Sequence, residues 1–399
     1  MTLKRQTYFT HVRLGCAPLI LIAMTLLSGV LLSGCSSDKA DETPPVDQEA
    51  LFAEELQTLV DEKIGTDKLL GASVSIRVDG VEEWSLQGGI SSGDTPIAAN
   101  MRFGIASITK TFVAATVLKL GDEGALSLDY PISQWLTLDT ENIDDSITIE
   151  QLLGHFAGLH GYFRHPDIWS RVEGDLNTPI PPLELVDYVG TPFFAPGERY
   201  EYSNSNYLVL GLIIEAVTGK TVGEVFREKL FGPLQMNSIY FPANENLVGP
   251  VATPWRDSNG DGTLQNILAE FGPAYHSIFY TAADVFATAS DLSMWPQHLF
   301  NGTLLSETTK TKMLDFQPID DTIFTGYGLG IREVTFAGKS HWGHTGGMRG
   351  YGSYMFYDPE TKVSIAMLNN QSRSQNGPLL RYQLVDELLQ AVYQHLQDN

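Results

Sequence analysis

The stretch Phe103-Gly104-Ile105-Ala106-Ser107-Ile108-Thr109-Lys110-Thr111 places a serine and a lysine three residues apart, at the start of a helix predicted over residues 107–120. Residues three apart on a helix share a face, so the Ser107 hydroxyl and the Lys110 amine can meet. A hydroxyl is a weak nucleophile until a base removes its proton, and a lysine can be that base only if its pKa is lowered. The positive end of the helix disfavours a charge on Lys110 and favours negative charge beside Ser107. The stretch therefore predicts a serine nucleophile with a lysine base.

A Ser-x-x-Lys motif is weak evidence by itself, because the chain carries a second copy at Ser36 and Lys39. That copy falls in an acidic segment that contains Pro44-Pro45 and is typical of a solvated spacer. No helix or strand is predicted around it, so it is not expected to form a site. Other motifs must support the assignment of Ser107.

The first 34 residues are predicted to be an export signal, because three cations precede an apolar run over residues 17–32. The cations are Lys4, Arg5 and Arg13. The run ends in Leu32-Ser33-Gly34-Cys35, which resembles the lipobox of bacterial lipoproteins. The resemblance implies cleavage before Cys35, lipidation of Cys35 and a tether over residues 35–49. Because Ser36 follows instead of Asp, it also implies the periplasmic face of the outer membrane if the cell is Gram-negative. A plain signal peptide or an uncleaved anchor is the alternative.

Length and charge limit the classes of protein that the chain can belong to. Its 399 residues can form a large core, or two lobes around one cleft. The formal net charge of −23 argues against a nucleic-acid partner, since phosphate binding needs clustered Lys and Arg. Cys16 would leave with the signal and Cys35 would be lipidated, so no disulfide, cysteine nucleophile or cysteine-based metal site is expected.

The order of the predicted elements indicates an α+β fold with a mainly antiparallel sheet. Helices are predicted over residues 50–64, 148–155, 183–189, 208–217, 222–230, 285–299 and 379–396. Strands are predicted over 72–78, 81–86, 327–334, 340–344, 352–357 and 363–369, with Asp79-Gly80 as a hairpin turn between the first two. The sheet would be built from both chain ends, about residues 50–100 and 325–399, with a mostly helical lobe inserted over about 105–320. An active cleft is expected between sheet and lobe.

Tyr202-Ser203-Asn204 is a second candidate motif, in a turn-rich loop before a helix. A tyrosine hydroxyl near a lysine ammonium ionises more easily and can pass a proton to a leaving group. An asparagine amide offers both a donor and an acceptor, so Asn204 can hold a substrate carbonyl and Lys110 together. The alternative is a helix-capping turn packed on the core.

His344-Thr345-Gly346-Gly347 is a third candidate motif, on a late strand. The glycines would leave the strand bare, so an extended acyl substrate could approach its backbone. One N–H from this strand and the N–H of Ser107 would then form an oxyanion hole. His341-Trp342-Gly343 is a competing His-x-Gly, and His344 is preferred because two glycines follow Thr345. A purely structural histidine is the alternative.

Together the three motifs resemble those of the serine β-lactamase and penicillin-binding-protein superfamily. Class C β-lactamases, D-alanyl-D-alanine carboxypeptidases and family VIII esterases are the most similar groups. The resemblance extends to residues 152–159 (LLGHFAGL), to the Pro-Gly-Glu run before Tyr202 and to Gly328-Leu329-Gly330. It implies a β-lactamase/transpeptidase-like domain over residues 50–399.

The resemblance also implies a role for each matching residue. Ser107 matches the acylated nucleophile and Lys110 its activating lysine. Tyr202 and Asn204 match the Tyr-x-Asn pair, in which the tyrosine moves protons during acylation and deacylation. Gly347 would supply the second oxyanion N–H beside that of Ser107.

His344 departs from the class C pattern, which usually has lysine at that position. A histidine is largely neutral at pH 7, whereas a lysine is a permanent cation for the β-lactam carboxylate. This favours a D-alanyl-D-alanine carboxypeptidase-like peptidase or an esterase, acting through an acyl-enzyme, over a class C-like β-lactamase. A non-catalytic binding protein of the same fold is the alternative from another class.

The remaining candidates carry weaker signals. Thr345, Gly346 and Arg349 are predicted to contact substrate, with an exposed structural arginine as the alternative for Arg349. Tyr162, Phe163 and Trp255 are predicted to line the pocket, with packing on the core as the alternative. The Asp257–Thr263 loop resembles half of a calcium site, but Leu268 stands where a bidentate Glu is expected, so an Asx-rich turn is favoured. No cofactor or metal is predicted. The predicted partners are a small-molecule or peptide substrate and the membrane that holds the lipid anchor. The sequence does not predict the oligomeric state.

Overall fold

The computed structural model describes residues 47–65, 68–80, 82–372 and 377–398. The predicted signal peptide, the lipidation site Cys35 and the second Ser-x-x-Lys motif at Ser36 lie outside these residues and stay predictions. The first helix begins because the Asp47 side chain accepts a hydrogen bond from the Ala50 N–H at 3.2 Å. The predicted start of the folded domain, residue 50, lies in the first turn of that helix.

Ten α-helices lie in the described residues, and none of them is long and apolar enough to cross a membrane. They are α1 (Gln48–Glu62), α2 (Thr109–Asp122), α3 (Ile149–Leu153), α4 (Pro166–Gly174), α5 (Asn204–Thr218), α6 (Val222–Phe226), α7 (Pro273–Ala283), α8 (Ala289–Pro296), α9 (Glu307–Met313) and α10 (Gly377–Asp398). Short 3-10 turns add to them, at Ala106–Ile108 before α2 and at Pro182–Tyr188, where a helix was predicted.

Fourteen strands lie in the same described ranges. They are β1 (Gly71–Val78), β2 (Glu82–Ser92), β3 (Thr95–Pro96), β4 (Phe103–Gly104), β5 (Trp255–Arg256), β6 (Gln265–Asn266), β7 (Phe286–Ala287), β8 (Gln317–Pro318), β9 (Phe324–Tyr327), β10 (Arg332–Phe336), β11 (Lys339–Met348), β12 (Tyr351–Tyr357), β13 (Val363–Asn369) and β14 (Gln371–Ser372).

Nine of these strands form one antiparallel sheet in the order β3-β2-β1-β13-β12-β11-β10-β9-β8. Strand β1 from the start of the domain pairs with β13 from its end, with Ala72 opposite Asn369 and Val78 opposite Val363. The sheet is therefore built from both chain ends, as the sequence predicted.

Two apolar cores lie on opposite faces of this sheet. The smaller core packs α1 and α10 against one face through residues such as Leu56 and Leu388. The larger core joins the other face to the helical lobe, and it includes Phe112 of α2 and Leu210 of α5. The candidate motifs are carried by α2, by α5 and by the lobe side of the sheet, so this arrangement brings them together.

The strand predicted over 327–334 is wrong, because the chain turns back in the middle of it. Strands β9 and β10 pair antiparallel around the intervening Gly-Leu-Gly, with Arg332 opposite Tyr327. Gly330 has φ of +81°, which side chains rarely adopt, and a Cβ there would lie 2.5 Å from Ala114 Cβ. The glycines mark a tight turn packed on α2.

The helix predicted over 285–299 is wrong at its start. Phe286 and Ala287 form β7, which pairs with β4 just before the Ser107 turn. Helix α8 begins only after Thr288, whose side chain accepts a hydrogen bond from the Asp291 N–H. Helix α7 lies partly in a segment in which no motif was recognised.

Candidate active site

Ser107 lies in the 3-10 turn that leads into α2, at the floor of a cleft of about 690 Å³. The residue before it, Ala106, is fully buried and has φ of +50°. A non-glycine residue in this region costs on the order of 1–3 kcal/mol, so the surrounding packing must hold the turn in place. The Ser353 hydroxyl contributes by donating a hydrogen bond to the Ile105 carbonyl at 2.7 Å.

Lys110 lies in the first turn of α2, and its side chain is fully buried. Its Nζ is 3.2 Å from Ser107 Oγ, 2.8 Å from Asn204 Oδ1 and 2.7 Å from the Ala282 carbonyl oxygen. Burial lowers the pKa of the Lys110 amine. A neutral amine can donate its two hydrogens to Asn204 and Ala282 and keep its lone pair for the Ser107 proton. The contacts therefore suit a general base.

Asn204 is the first residue of α5, which is capped by the Ser203 side chain. Because the lone pair of neutral Lys110 faces Ser107, the amine donates a hydrogen to Asn204, and the Asn204 carbonyl oxygen accepts it. Asn204 also lines the cleft, and its amide N–H groups are left for a substrate carbonyl. Both roles predicted for Asn204 are geometrically possible.

Tyr202 lies beside this pair, with its hydroxyl oxygen buried. Burial raises the pKa of Tyr202, but the positive charges of protonated Lys110 and of Arg332 lower it overall. Lys110 Nζ is 5.1 Å from the centre of the Tyr202 ring and Arg332 Cζ is 5.0 Å from it. A tyrosine with a lowered pKa next to the base can carry a proton between Lys110 and a leaving group.

The two glycines of the third motif have different tasks. A Cβ on Gly346 would lie 2.1 Å from the Ile105 carbonyl oxygen, so only glycine lets β11 pack against the Ser107 turn. A Cβ on Gly347 would meet nothing within 4 Å, and this residue lines the cleft with Ser107. In the described residues, β10 pairs with β11 only as far as Gly343, which leaves one side of residues 344–348 open to an extended substrate.

His344 lies in a buried chain of hydrogen bonds behind the cleft. Its Nδ1 is 2.6 Å from the Thr345 carbonyl oxygen, and its Nε2 is 3.3 Å from the Tyr327 hydroxyl. The same hydroxyl is 3.1 Å from His155 Nε2. His155 Nδ1 accepts the Ser203 N–H at 3.2 Å.

The donor at one end and the acceptor at the other fix the direction of this chain. Because the Ser203 N–H can only donate, His155 must carry its hydrogen on Nε2 and donate it to Tyr327. Tyr327 then donates to His344 Nε2, and His344 Nδ1–H donates to Thr345. Burial and nearby positive charges hold the pKa of both histidines well below the ordinary value, so both are neutral.

His344 was predicted to be a catalytic residue, but these contacts place it behind the cleft. The side chain is fully buried and both ring nitrogens are occupied, so His344 does not present a group to the substrate. It is a positioning residue that links the Thr345 backbone to Tyr327. The preference for His344 over His341 agrees with the structure, since His341 faces α10 and bonds the Tyr393 hydroxyl at 2.7 Å.

Two predicted pocket residues are wrong. Tyr162 is fully buried in the larger core, and its hydroxyl donates to the Ile278 carbonyl at 2.6 Å. The Trp255 indole N–H donates to the Ser91 carbonyl at 2.6 Å, and the following residue, Arg256, lines the cleft instead. Aromatic residues in loops pack on a core as readily as they line a pocket, so their type alone did not separate the two roles.

Arg349 does line the cleft, but its charge is already paired. Its guanidinium is 3.1 Å from Glu270 and 3.4 Å from Glu173, and it lies 4.1 Å from the centre of the Trp169 ring. Two nearby carboxylates neutralise the cation, so Arg349 positions Trp169 and offers little free charge to a substrate.

Sequence reasoning missed three contributors to the site: the Ala282 carbonyl, Arg332 and the His155–Tyr327 pair. A backbone carbonyl has no sequence signal, and a single arginine on a strand is usually structural. A signal for His155 was present, since the resemblance to the family includes residues 152–159. No role was assigned to the histidine in that motif.

No group of three or more His, Cys, Asp or Glu side chains that could hold a metal lies in the described residues. In the Asp257–Thr263 loop, the Asp257 carboxylate accepts the N–H groups of Gly260 and Gly262, and Asp261 accepts that of Thr263. These are the backbone contacts of the Asx-rich turn that the sequence favoured.

A model of the Beta-lactamase family matches residues 56–389. The chain belongs to the Beta-lactamase family. The family predicted from the three motifs and the predicted fold are thereby confirmed.

The relatives of this Beta-lactamase family member include several hydrolases. It is 27% identical over 393 residues to an unguisins hydrolase of Aspergillus campestris (strain IBT 28561), covering 88% of this chain and 67% of that protein. It is 26% identical over 278 residues to a D-aminopeptidase of Brucella anthropi, covering 69% of this chain and 51% of the relative. The chain therefore spans about half the length of that D-aminopeptidase.

Among solved structures, a D-stereospecific amidohydrolase from Streptomyces sp. has a TM-score of 0.70 and 26% identity, with 82% of this chain and 95% of that chain covered. These comparisons confirm the predicted enzyme class, a serine hydrolase, and agree with a peptidase-like or amidase-like activity.

Proposed function

We propose that the protein hydrolyses amide bonds of small peptides or amides of D-amino acids through an acyl-enzyme on Ser107. One observation carries the proposal: a fully buried lysine amine lies 3.2 Å from Ser107 Oγ and has its other positions occupied by hydrogen-bond acceptors. Burial favours the neutral amine, which is the form that can take the serine proton.

Acylation follows from these contacts. Lys110 takes the Ser107 proton as Oγ bonds to the substrate carbonyl carbon, and the N–H groups of Ser107 and Gly347 stabilise the oxyanion. Tyr202 gives its proton to the leaving nitrogen and regains one from the Lys110 ammonium. In deacylation, water attacks the ester carbon and gives a proton to the same pair. The pair returns a proton to Ser107 Oγ as the bond between Oγ and the acyl carbon breaks, which releases the acid product and restores Ser107.

The cleft walls support a substrate with an apolar side chain near the scissile bond. Phe163, Trp169 and Phe279 line the cleft and contact one another, with ring centres 5.1 to 6.2 Å apart. Such a wall gains free energy from burying apolar or aromatic groups. The preference for D-amino acids rests on the named D-aminopeptidase and D-stereospecific amidohydrolase relatives.

The test uses purified full-length protein with fluorogenic amides of D-phenylalanine and D-alanine and their L-enantiomers. The expected result is faster release from the D-series, abolished by Ser107→Ala. As a control, Ser372→Ala should retain activity, because Ser372 also lines the cleft but accepts the Gly350 N–H. Release that survives Ser107→Ala, or an L-preference, would contradict the proposal. Nitrocefin in the same assay addresses the β-lactamase alternative.

We also propose that the protein is exported and anchored by lipid on Cys35. The support is the apolar run followed by Leu32-Ser33-Gly34-Cys35. Cells grown with labelled palmitate should yield a labelled protein, and Cys35→Ser should remove the label, whereas Cys16→Ser should not. A label retained in Cys35→Ser would reject the anchor.

A further inference from the structure

The end of α7, beyond a kink at Tyr280, brings a backbone carbonyl to the lysine base. Tyr280 has φ of +31° and ψ of −137°, which ends the regular helix two residues before Ala282. This conformation is unfavourable for a tyrosine, so the surrounding contacts must hold it. Beyond the kink, the Ala282 carbonyl oxygen lies 2.7 Å from Lys110 Nζ.

A buried acid fixes the far side of this kink. Asp284 is fully buried, its Oδ1 lies 2.7 Å from His276 Nδ1, and its Oδ2 accepts the Ala243 N–H at 2.6 Å. The Asp284 N–H donates to the Tyr280 carbonyl, which closes the kink on itself. Burying a carboxylate costs folding free energy, and a neutral side chain would cost less. A buried acid at this position therefore suggests a function for its charge.

The same segment is attached to the elements that carry the other motifs. The Thr281 hydroxyl donates to the Tyr207 carbonyl of α5 at 2.7 Å. The Val285 N–H donates to Thr109 Oγ1 of α2 at 3.0 Å, and the Val285 carbonyl accepts the Ile105 N–H at 2.9 Å. A shift of the segment would therefore move Ala282 relative to both the base and the nucleophile.

We propose that Asp284 and His276 form a positioning pair that holds the Ala282 carbonyl against Lys110 and thereby aims the lysine lone pair at Ser107. The inference rests on the proposed function, because it assumes that Lys110 is the base. Asp284 and His276 touch neither the substrate nor the reacting atoms, so they act through the backbone at Ala282.

The pair also makes the position of Ala282 sensitive to pH. Burial raises the pKa of Asp284 to about 6, although His276 and the Ala243 N–H act in the opposite direction. The other titratable groups that face Asp284 are Tyr162 and Tyr275, and both stay neutral because burial raises their pKa. His276 reaches a surface groove lined by Glu245, whose carboxylate pairs with Arg227.

The sign of the pH effect follows from this arrangement. Above pH 6 the Asp284 carboxylate is ionised and accepts from both His276 and Ala243. Below pH 6 it takes up a proton, one acceptor position is lost, and the hold on the kink weakens. The reactivity of Ser107 should therefore fall through an inflection near pH 6 that belongs to Asp284.

The test measures the rate at which a fluorophosphonate probe labels Ser107 in the purified full chain between pH 5 and 8. Asp284→Asn and His276→Gln should each slow labelling roughly tenfold to a hundredfold, because small misplacements of catalytic groups have effects of that size. The double variant should be no slower than the slower single variant, since both act through one contact. The inflection near pH 6 should disappear in Asp284→Asn.

Asp358→Asn is the matched control. Asp358 is also fully buried, but it accepts the Glu360 N–H and the Thr361 hydroxyl in the turn between β12 and β13. This variant should keep the wild-type labelling rate and the inflection, even if its melting temperature falls.

Each outcome distinguishes the inference from the function on which it rests. A wild type that is not labelled at Ser107 would overturn both. A wild type that is labelled, with Asp284→Asn and His276→Gln at the same rate and with the same pH profile, would overturn the positioning pair alone. If Asp284→Asn does not fold, His276→Gln decides, because its side chain reaches the surface groove.

Discussion

Strand β11 carries two histidines three residues apart that face opposite sides of the sheet. His341 points towards α10, where its Nε2 bonds the Tyr393 hydroxyl and its Nδ1 the Lys339 carbonyl. His344 points towards the helical lobe, where it bonds the Tyr327 hydroxyl and the Thr345 carbonyl. Both are fully buried, and burial lowers the pKa of both.

The difference lies in the charges around them. The hydrogen bond to the Lys339 carbonyl and the carboxylates of Asp358 and Asp386 raise the pKa of His341 and partly offset its burial, although the Lys339 ammonium lowers it. The cations of Arg332 and Lys110 lower the pKa of His344 further. Residue type and burial therefore do not distinguish a structural histidine from one behind an active site. The surrounding charges do, because the Arg332 cation that lowers the pKa of His344 also lowers the pKa of the base Lys110.

The largest effect should appear on removing the buried lysine beside Ser107. Lys110→Ala should slow acylation of Ser107 by at least about a thousandfold, because general-base catalysis is lost. Lys310 is also buried, but it bonds Glu307 and the Gly302 carbonyl away from the cleft. Lys310→Ala should lower the melting temperature and leave acylation unchanged. Equal rates for Lys110→Ala and wild type would show that Lys110 is not the base.

A smaller effect is expected from the two glycines at the cleft end of β11. Gly346→Ala would force a Cβ to within 2.1 Å of the Ile105 carbonyl and displace the Ser107 turn, so activity should fall about a hundredfold. Gly347→Ala meets open space and keeps the backbone N–H, so activity should stay within a few-fold. Kinetics of both variants on one amide substrate measure the contrast. A larger loss of activity in Gly347→Ala than in Gly346→Ala would mean that activity depends more on space in the cleft than on the packing of β11 against the Ser107 turn.

The smallest effect is expected from removing the tyrosine hydroxyl that bonds each histidine, Tyr327 for His344 and Tyr393 for His341. This pair of variants compares the two histidines most directly. Tyr327→Phe should lower kcat by roughly tenfold, with KM little changed, and shift the pH–rate profile, because a broken hydrogen-bond chain loosens His344. Tyr393→Phe should cost about 1 kcal/mol of folding stability and leave the kinetics unchanged. Identical kinetic profiles for the two variants would make His344 as purely structural as His341.

The sequence allowed the parts of the site that depend on local spacing to be predicted. Ser107 and Lys110 lie three residues apart at the start of a helix, and Asn204 and Tyr202 lie at the start of the next long one. Their side-chain chemistry is specific enough to suggest roles. The sheet built from both chain ends was also predicted, because its strands alternate and end at clear turns.

The remaining features depend on contacts between distant segments. Ala282 acts through its backbone, which no side-chain pattern reveals, and the position of that carbonyl depends on the kink at Tyr280. Gly328-Leu329-Gly330 was recognised as part of the family pattern but not as the turn that splits one predicted strand into two. Tyr162 and Trp255 were assigned to the pocket because aromatic residues fit both a pocket and a core.

Helix α10 begins at the cleft, where Pro378 and Arg381 line the wall, and runs for 22 residues. At 1.5 Å per residue, its far end lies about 33 Å from that wall. There His395 bonds Glu49 at the start of α1, so the two ends of the catalytic domain meet on the side remote from Ser107. A fusion partner or a solid support joined at either end would leave the mouth of the cleft facing the solution.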